Sequence, residues 1–430
     1  MMLDKFLNTI IKNNLIEKDE KVLVACSGGA DSMTLLNLFL RFFDGEKDRV
    51  EVAHINHCLR GEDSIRDEKF VENFCKDNGI TFHLKVADVT ALAKKNGLGI
   101  EDMGRKIRYG FFEEITKNRR YKIALAHSKD DQVETVFMRI LRGTGTEGLM
   151  GIKQVDGKII RPILDFSRVQ IELYVKEQNI EFVQDKTNFE NDFTRNKIRN
   201  ELIPYLRDNF NPNIKEAIIR LSDISKSDNI IKQSYIERLF KDVLIKIDKS
   251  EIRLDKKLLS GMDDNIVSEI LRYCIGKLND DNYGFEYVHY QEFSKALELD
   301  SGKMITINGI NVSNSFGDMV ISKVIENELK MPIEIGNQAV LVVNGYRISV
   351  KNQSKEKIII RKRSPGDKVF FKGKYKKLKD LMIDKKVDIY RRDYLPVVVV
   401  ENQIAACGHI YYNNEFIHNK KLLIEIKMEE

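Results

Sequence analysis

The sequence predicts an α/β protein: an N-terminal parallel sheet wrapped by helices, a helical middle region, and a small mixed α/β C-terminal domain. Three observations predict it. Short apolar runs alternate with helix-period runs through the first 200 residues. A glycine-rich turn, Ser27-Gly28-Gly29-Ala30-Asp31-Ser32, joins the first strand to the first long helix after it. Basic charge gathers near the C-terminus, where short β-like runs replace the alternation. At 430 residues the chain is too long for one ordinary core. Breaks in the pattern divide it into residues 1–210, 211–350 and 351–430.

The elements read in order as follows. Residues 22–26 form a strand and the next helix runs to about Phe43. Residues 50–55 are a strand, followed by a helix over 67–78. Residues 81–86 are a strand, with a helix over 101–118. Residues 122–126 are a strand, with a helix over 130–142. This βαβα order places ligands at the carboxyl ends of the strands, where Ser27 and His127 both fall. Asn209-Phe210-Asn211-Pro212-Asn213 is a turn-rich stop. Residues 214–297 read as mostly helical. Strand-like runs follow at 304–310, 319–324 and 339–343. The last segment mixes strands, the clearest at 397–400, with a basic helix near 376–383.

Composition excludes several classes. No run of 18 apolar residues is present, so no transmembrane helix is expected. Residues 1–6 carry acid and polar groups where a signal peptide needs an apolar core. The expected location is the cytoplasm, with no membrane partner. The five cysteines, Cys26, Cys58, Cys75, Cys274 and Cys407, form no C-x-x-C pair and are odd in number, which argues against disulfides and a Cys₄ zinc site. They read as small buried apolar residues. The net charge of +5 is uneven: residues 355–392 hold fifteen Lys/Arg against five acids, a net +10, so the remainder sums to −5. Such a segment suits a polyanion, or is simply a solvated lysine-rich surface.

The Ser27–Ser32 turn lets backbone N–H groups approach a phosphate at a helix N-terminus. It lacks the lysine of a Walker loop. Asp31 instead offers a carboxylate for hydrated Mg²⁺, and Ser27 and Ser32 offer hydroxyls to phosphate oxygens. The bland alternative is a glycine turn joining a strand to a helix. The turn resembles the S-G-G-x-D-S loop of the ATP pyrophosphatases, which cleave ATP between its α and β phosphates. That resemblance assigns nucleotide binding to Ser27, Gly28, Gly29, Ala30, Asp31 and Ser32.

A second constellation is His127-Ser128-Lys129-Asp130-Asp131-Gln132-Val133-Glu134-Thr135. Val133, Val136, Phe137, Ile140 and Leu141 define a buried stripe on the following helix. Glu134 lies at the stripe's edge and Asp131 beyond it, about 60° apart on the helical wheel. One acid is well placed against the helix dipole, but three in five residues repel unless a cation is near. Mg²⁺ or an amine substrate supplies that cation. His127 could stack on or hydrogen-bond a nucleotide, or be structural.

Arg105 and Arg108 stand at i, i+3 and suit a phosphate or a substrate carboxylate, or else surface pairing with Glu101 and Asp102. Residues 143–149, with three glycines in six positions, read as a helix stop or as a surface that receives a nucleic-acid strand. Residues 185–188 and 194–200 form a further cluster, in which Arg195 and Arg199 straddle phosphates or make a cationic helix end.

Together these stretches resemble the tRNA(Ile)-lysidine synthetase family over most of the first 200 residues. The match takes in Ser27–Ser32, His54 to His57 with Leu59 and Arg60, Arg105 to Tyr109, His127 to Thr135, Arg142 to Leu149, Arg161 to Leu164 and residues 185–199. At the other end Arg361 to Asp367, Lys376 to Lys379, Arg391 and Leu395-Pro396 are similar to the family's terminal domain. The family's tail often carries a tryptophan, which this chain lacks, leaving Tyr411 or Tyr412 to substitute.

The resemblance implies a ligase using ATP and Mg²⁺. ATP would adenylate the C2 carbonyl oxygen of the wobble cytidine of tRNA(Ile) with a CAU anticodon. Free L-lysine would then attack C2 and release AMP, turning an AUG reader into an AUA reader. Asp31 would hold the metal, Asp131 and Glu134 the lysine amine, and Arg105 a phosphate or carboxylate, all four as catalytic residues. Arg195, Arg199, Arg361, Arg363, Lys376, Lys377 and Arg391 would bind tRNA. A homodimer is compatible with the family. The rivals are tRNA thiolation, which normally uses paired cysteines, a small-molecule amide synthetase, for which the basic tail has no purpose, and a non-catalytic RNA-binding protein with a relict loop.

Overall fold

A computed structural model describes residues 2–117, 119–184, 194–278, 292, 295–307, 309–354, 356–417 and 421–429. Residues 185–188, read above as part of a basic cluster, lie outside them. The chain divides into two compact units at Ile230/Ile231.

In the first unit the alternation of the sequence becomes a six-stranded sheet. Its elements are α1 (Met2–Lys12), β1 (Lys21–Ala25), α2 (Ala30–Phe42), β2 (Val50–Asn56), α3 (Glu62–Asn78), β3 (Thr81–Val86), α4 (Val89–Asn96), α5 (Ile100–Thr116), β4 (Tyr121–Ala124), α6 (Lys129–Arg142), α7 (Thr146–Leu149), β5 (Val155–Asp156), β6 (Ile159–Ile160), α8 (Arg168–Glu177), α9 (Thr194–Lys197), a π-helical turn (Ile198–Leu202) and α10 (Ile203–Asn209). The sheet order is β3-β2-β1-β4-β6-β5. All pairings are parallel except β5 with β6. Strands leave β1 in one direction to β3, and the chain then returns to place β4 on the other side. The crevice between the carboxyl ends of β1 and β4 is the switch point, where such sheets bind ligands. Val22, Leu23 and Val24 of β1 are fully buried, as a central strand covered on both faces requires.

The first compact unit runs past the expected boundary near residue 210. Ile218 and Ile203 pack with Ile198 against Val133, Val136 and Phe137, and Ile214 and Ile219 border the same cluster. The apolar stripe of α6 therefore needs the start of α11 (Ile214–Val243) as its cover, and the first unit extends to Ile230. Ile140 and Leu141 lie beyond that cover and are exposed.

The second unit interrupts the expected helical region. After α11 come β7 (Leu244–Ile247), β8 (Glu251–Asp255), α12 (Lys256–Leu259), α13 (Asp264–Leu278), β9 (Met304–Ile307), β10 (Ile310–Ser315) and β11 (Asp318–Lys323). Their strands form an antiparallel sheet, β7-β8-β11-β10-β9, with α13 on its core. Next are β12 (Ile333–Ile335), β13 (Gln338–Val343), β14 (Tyr346–Asn352), β15 (Ile358–Arg361), β16 (Lys368–Phe371), β17 (Lys374–Lys377), α14 (Leu378–Asp384), β18 (Val397–Val400), β19 (Gln403–Cys407), β20 (Tyr411–Tyr412), α15 (Asn414–Ile417) and β21 (Leu422–Met428). The last strand pairs with β14 along its whole length, Tyr346 opposite Met428 and Asn352 opposite Leu422. One core runs from Leu329 to Ile426. β12, β13 and β14, which lie largely before the expected boundary at 351, share this core. Among the described residues no helix is long and apolar enough to cross a membrane.

Candidate active site

The Ser27–Ser32 turn closes β1 onto α2, whose N-cap is Gly29. Gly28 has φ +88°, and a Cβ there would lie 3.2 Å from Val71 Cγ2. The left-handed φ strains any side chain there, and a Cβ would also press on Val71. The Gly28 carbonyl accepts from Val183 N at 2.9 Å. Ser32 Oγ donates to Gly29 O at 2.9 Å and lies 3.3 Å from Ser27 Oγ, which accepts from Gly29 N at 3.4 Å, so the hydroxyls brace the turn. From β2, His54 Nδ1 donates to Cys26 O at 2.8 Å. Burial holds His54 below the usual imidazole range, which keeps it neutral for that role.

Across the switch point, Ser128 caps α6. Its N and Oγ donate to Asp131 Oδ2 at 2.8 and 2.9 Å, a capping box. The spacing of Ser128 and Asp131 carries that signature, which the sequence reading passed over. One Asp131 oxygen is thus committed; Oδ1 stands 3.8 Å from Arg199 Nη2. Asp130 turns away from its neighbour: it accepts from Lys215 Nζ at 2.5 Å and from Arg168 N at 2.8 Å. Burial opposes its charge, but Lys215 and the Arg168 amide outweigh burial and hold it below the ordinary carboxylate range.

Asp31 faces this group. Burial, then the charge of Asp131, lift its carboxyl to about 6, against the pull of Arg168 and Arg199; Asp130 also raises it. The fold therefore brings Asp31 and Asp131, one hundred residues apart, into one electrostatic field. The sign of the consequence is fixed. The folded chain holds a proton on Asp31 that the unfolded chain, ionising near 3.8, releases. Stability from that proton is complete below 3.8 and is lost as pH rises through about 6. Asp31→Asn is expected to melt above the parent at pH 8, by about 2 kcal/mol after allowance for partial exposure, and to converge with it at pH 4. Calorimetric scans across pH without nucleotide measure this; parallel melting curves would refute it.

Glu134 differs from its expected position. Its side chain is 1% exposed. Arg199 grips it with a fork, Nε to Oε1 at 2.5 Å and Nη2 to Oε2 at 3.0 Å. Arg195 Nε lies 3.5 Å from Oε2, and its Nη2 donates to Thr135 Oγ1 at 3.1 Å. Burial lifts the Glu134 carboxyl despite Arg199. Both arginines, expected on tRNA, stand beside Glu134, which on the covered side of α6 demands a cation.

His127 is held neutral, at about 4, first by burial; the charges of Arg161, Arg195 and Arg108 also lower it, while Asp131 raises it. Its Nδ1 accepts from Arg161 Nε at 3.3 Å. His57, at the end of β2, is likewise lowered to about 4 by burial, Arg108 and His54, and its Nδ1 is buried without a hydrogen-bond partner. Arg105 does not join this group. It is exposed and lies over the Tyr109 ring at 4.9 Å. Of the α5 pair, Arg108 is the one whose charge reaches His57 and His127. Residues 143–149 are a helix stop followed by α7, strapped by Arg139 Nη1 to Gly148 O at 2.9 Å and Gly151 O at 2.8 Å. Buried Gln132 anchors the next turn through Met150 O and Ser222 Oγ at 2.9 and 2.8 Å. Sequence reading missed Arg168; the signal was Ser167-x-x-Gln170, a capping box that presents the Arg168 amide to Asp130.

In the second unit, most expected tRNA contacts are internally paired. Arg361 forks onto Asp367 at 2.9 and 2.8 Å, and Arg363 meets Asp393 at 2.6 Å. Lys376 pairs with Asp384. Arg391 Nη2 reaches buried Glu251 at 3.1 Å, beside Tyr390. Lys377 is exposed and has no ion pair among the described residues. It lines a cleft of about 430 Å³ with Arg363, Gly366, Asp367 and Lys379. Tyr411 and Tyr412 donate to Phe370 O and Ile426 O at 3.0 and 2.7 Å. The expected separation is measurable. Lys377→Gln should reduce the salt slope of tRNA binding by about one without lowering the melting temperature. Arg361→Gln should lower the melting temperature instead. The opposite assignment would reject this division.

A parallel sheet whose switch point carries an S-G-G-x-D-S turn facing an acidic helix defines a PP-loop ATP-using enzyme. Residues 2–206 match the PP-loop domain model, and residues 358–426 match the TilS substrate C-terminal domain model. The tRNA(Ile)-lysidine synthase of Clostridium tetani is 38% identical, with 100% of this chain and 98% of that protein covered. That of Clostridium acetobutylicum is 34% identical, with 100% and 99% covered. A solved U34-tRNA thiolase from Methanococcus maripaludis with its [4Fe-4S] cluster is 16% identical, covering 52% of this chain and 80% of that one at a TM-score of 0.43. The chain belongs to the tRNA(Ile)-lysidine synthase family, and is a ligase-type enzyme.

Proposed function

We propose that this enzyme joins lysine to C2 of the wobble cytidine of tRNA(Ile) with a CAU anticodon, through a tRNA adenylate, in the cytoplasm. The observation that carries the reading is the convergence of Asp31 from the phosphate turn with Asp131 from α6 at one switch point. A phosphate cradle and an amine-binding carboxylate are what the two half-reactions require. Family membership favours the same reading.

In the first half-reaction the C2 carbonyl oxygen attacks the α-phosphorus and pyrophosphate leaves. The turn amides with Ser27 and Ser32 would hold the departing phosphates. The donor set suits Mg²⁺ bound mainly by substrate: Asp31 supplies one carboxylate, and no cluster of three ligating side chains occurs among the described residues. Crowded by Asp131, Asp31 gains from a nearby cation, and the metal would neutralise phosphate charge. In the second half-reaction the ε-amine of lysine attacks C2 and AMP leaves, with loss of one proton from nitrogen. Asp131 Oδ1, uncommitted to the cap, would orient the amine and accept that proton. Neutral His57 and His127 would offer hydrogen bonds to a base or ribose without adding charge. Lys377 and its basic neighbours would hold tRNA backbone.

Incubation with unmodified tRNA(Ile), ATP, Mg²⁺ and labelled lysine tests the proposal. Label in tRNA with one AMP formed per lysine supports it. AMP without lysine incorporation would redirect the reading to another nucleophile.

A further inference from the structure

Arg199 spends its charge where a substrate ammonium would go. Its fork closes both oxygens of Glu134, and its Nη2 stands 3.8 Å from the free oxygen of Asp131. The side chain is nevertheless a quarter exposed. It rises from a π-helical turn, Ile198–Leu202, a local irregularity that helices carry most often at functional sites. Its charge also acts on Asp31 in the phosphate turn. Arg199 therefore stands between a pair of acids and a cradle for a polyanion.

We propose that Arg199 is an exchangeable cation coupling the two substrates: it holds Glu134 and Asp131 before ATP arrives, then turns to the polyphosphate and releases those carboxylates to the ammonium of lysine. The proposal rests on the lysine-transfer reading above. Its physical basis is that buried Glu134 cannot lose one cation without gaining another. Lysine supplies the replacement, and Arg195, whose buried Nε makes no hydrogen bond at 3.5 Å from Glu134, stays beside the carboxylate during the exchange. The triphosphate is a stronger anion than one carboxylate, so its arrival favours the move. Coupling of this kind is reciprocal: ATP tightens lysine binding by the factor with which lysine tightens ATP. It also delays capture of the nucleophile until the activating nucleotide is in place.

Titration calorimetry of lysine into the full chain, with and without α,β-methylene-ATP and Mg²⁺, tests it. The parent is expected to bind lysine about tenfold more tightly with the analogue present. Arg199→Gln is expected to bind lysine tightly in both conditions and to lose that factor. Retained coupling in Arg199→Gln, or no coupling in the parent, overturns the exchange. Should Arg199→Gln fail to fold, Arg199→Lys keeps the charge without the fork; a reduced factor supports the proposal and an unchanged one overturns it. Lysine transfer to tRNA by the parent, measured in parallel, separates the two readings. Transfer without coupling removes only the exchange, and coupled lysine binding without transfer removes only the function proposed above. A parent that binds no lysine in either condition removes both.

Discussion

Asp31→Asn is expected to reduce ATP-dependent pyrophosphate release by about 100- to 1,000-fold while leaving the chain folded and more stable than the parent above pH 6. The magnitude is that of removing a principal electrostatic group from a charged transition state. Asparagine keeps the shape and one oxygen but loses the charge that would draw Mg²⁺ to the departing pyrophosphate. The stability gain has the same origin as the activity loss. Burial and the charge of Asp131 hold the Asp31 carboxyl at about 6, so an ionised Asp31 is a strained partner in the free enzyme. Pyrophosphate release and thermal melting, measured on one preparation, decide the matter. Loss of both activity and stability would make Asp31 a structural residue.

The second large effect is at Asp131. Asp131→Asn retains an oxygen able to accept from Ser128 N and Oγ, so the α6 cap is largely kept. What is lost is the negative charge toward an amine. Lysine incorporation is expected to fall roughly 100-fold or more, while tRNA-dependent pyrophosphate release without lysine stays within about threefold of the parent. That split between half-reactions is the measurement. Equal loss of both would assign Asp131 to the metal and phosphate side.

Much of this was readable from the chain. The strands of the first sheet were legible because a buried parallel strand must be apolar throughout, as Val22, Leu23 and Val24 are. The turn at Ser27 was legible because local chemistry dictates it. The partners of long side chains were not legible. Nothing local says that Arg199 closes on Glu134 or that Arg361 is spent on Asp367, since each guanidinium reads equally well as a phosphate ligand. Charge counting therefore located a basic tail but did not show which of its members are ion-paired within the fold. The packing of β14 with the terminal domain was not legible for a related reason: its pairing with β21 joins segments seventy to eighty residues apart, and no periodicity records it.

The sequence alone determined the energy source and the fold that holds it, because a phosphate cradle is a short-range object made of backbone amides, glycine and one acid. Tertiary structure alone decided which acids are available. Asp131 keeps one oxygen out of its cap, 3.8 Å from Arg199, while Asp130 is closed by Lys215 and Arg168 and Glu134 by the fork of Arg199. Those differences arise from charge pairing across the fold, where burial makes every carboxylate take whatever cation the packing brings to it.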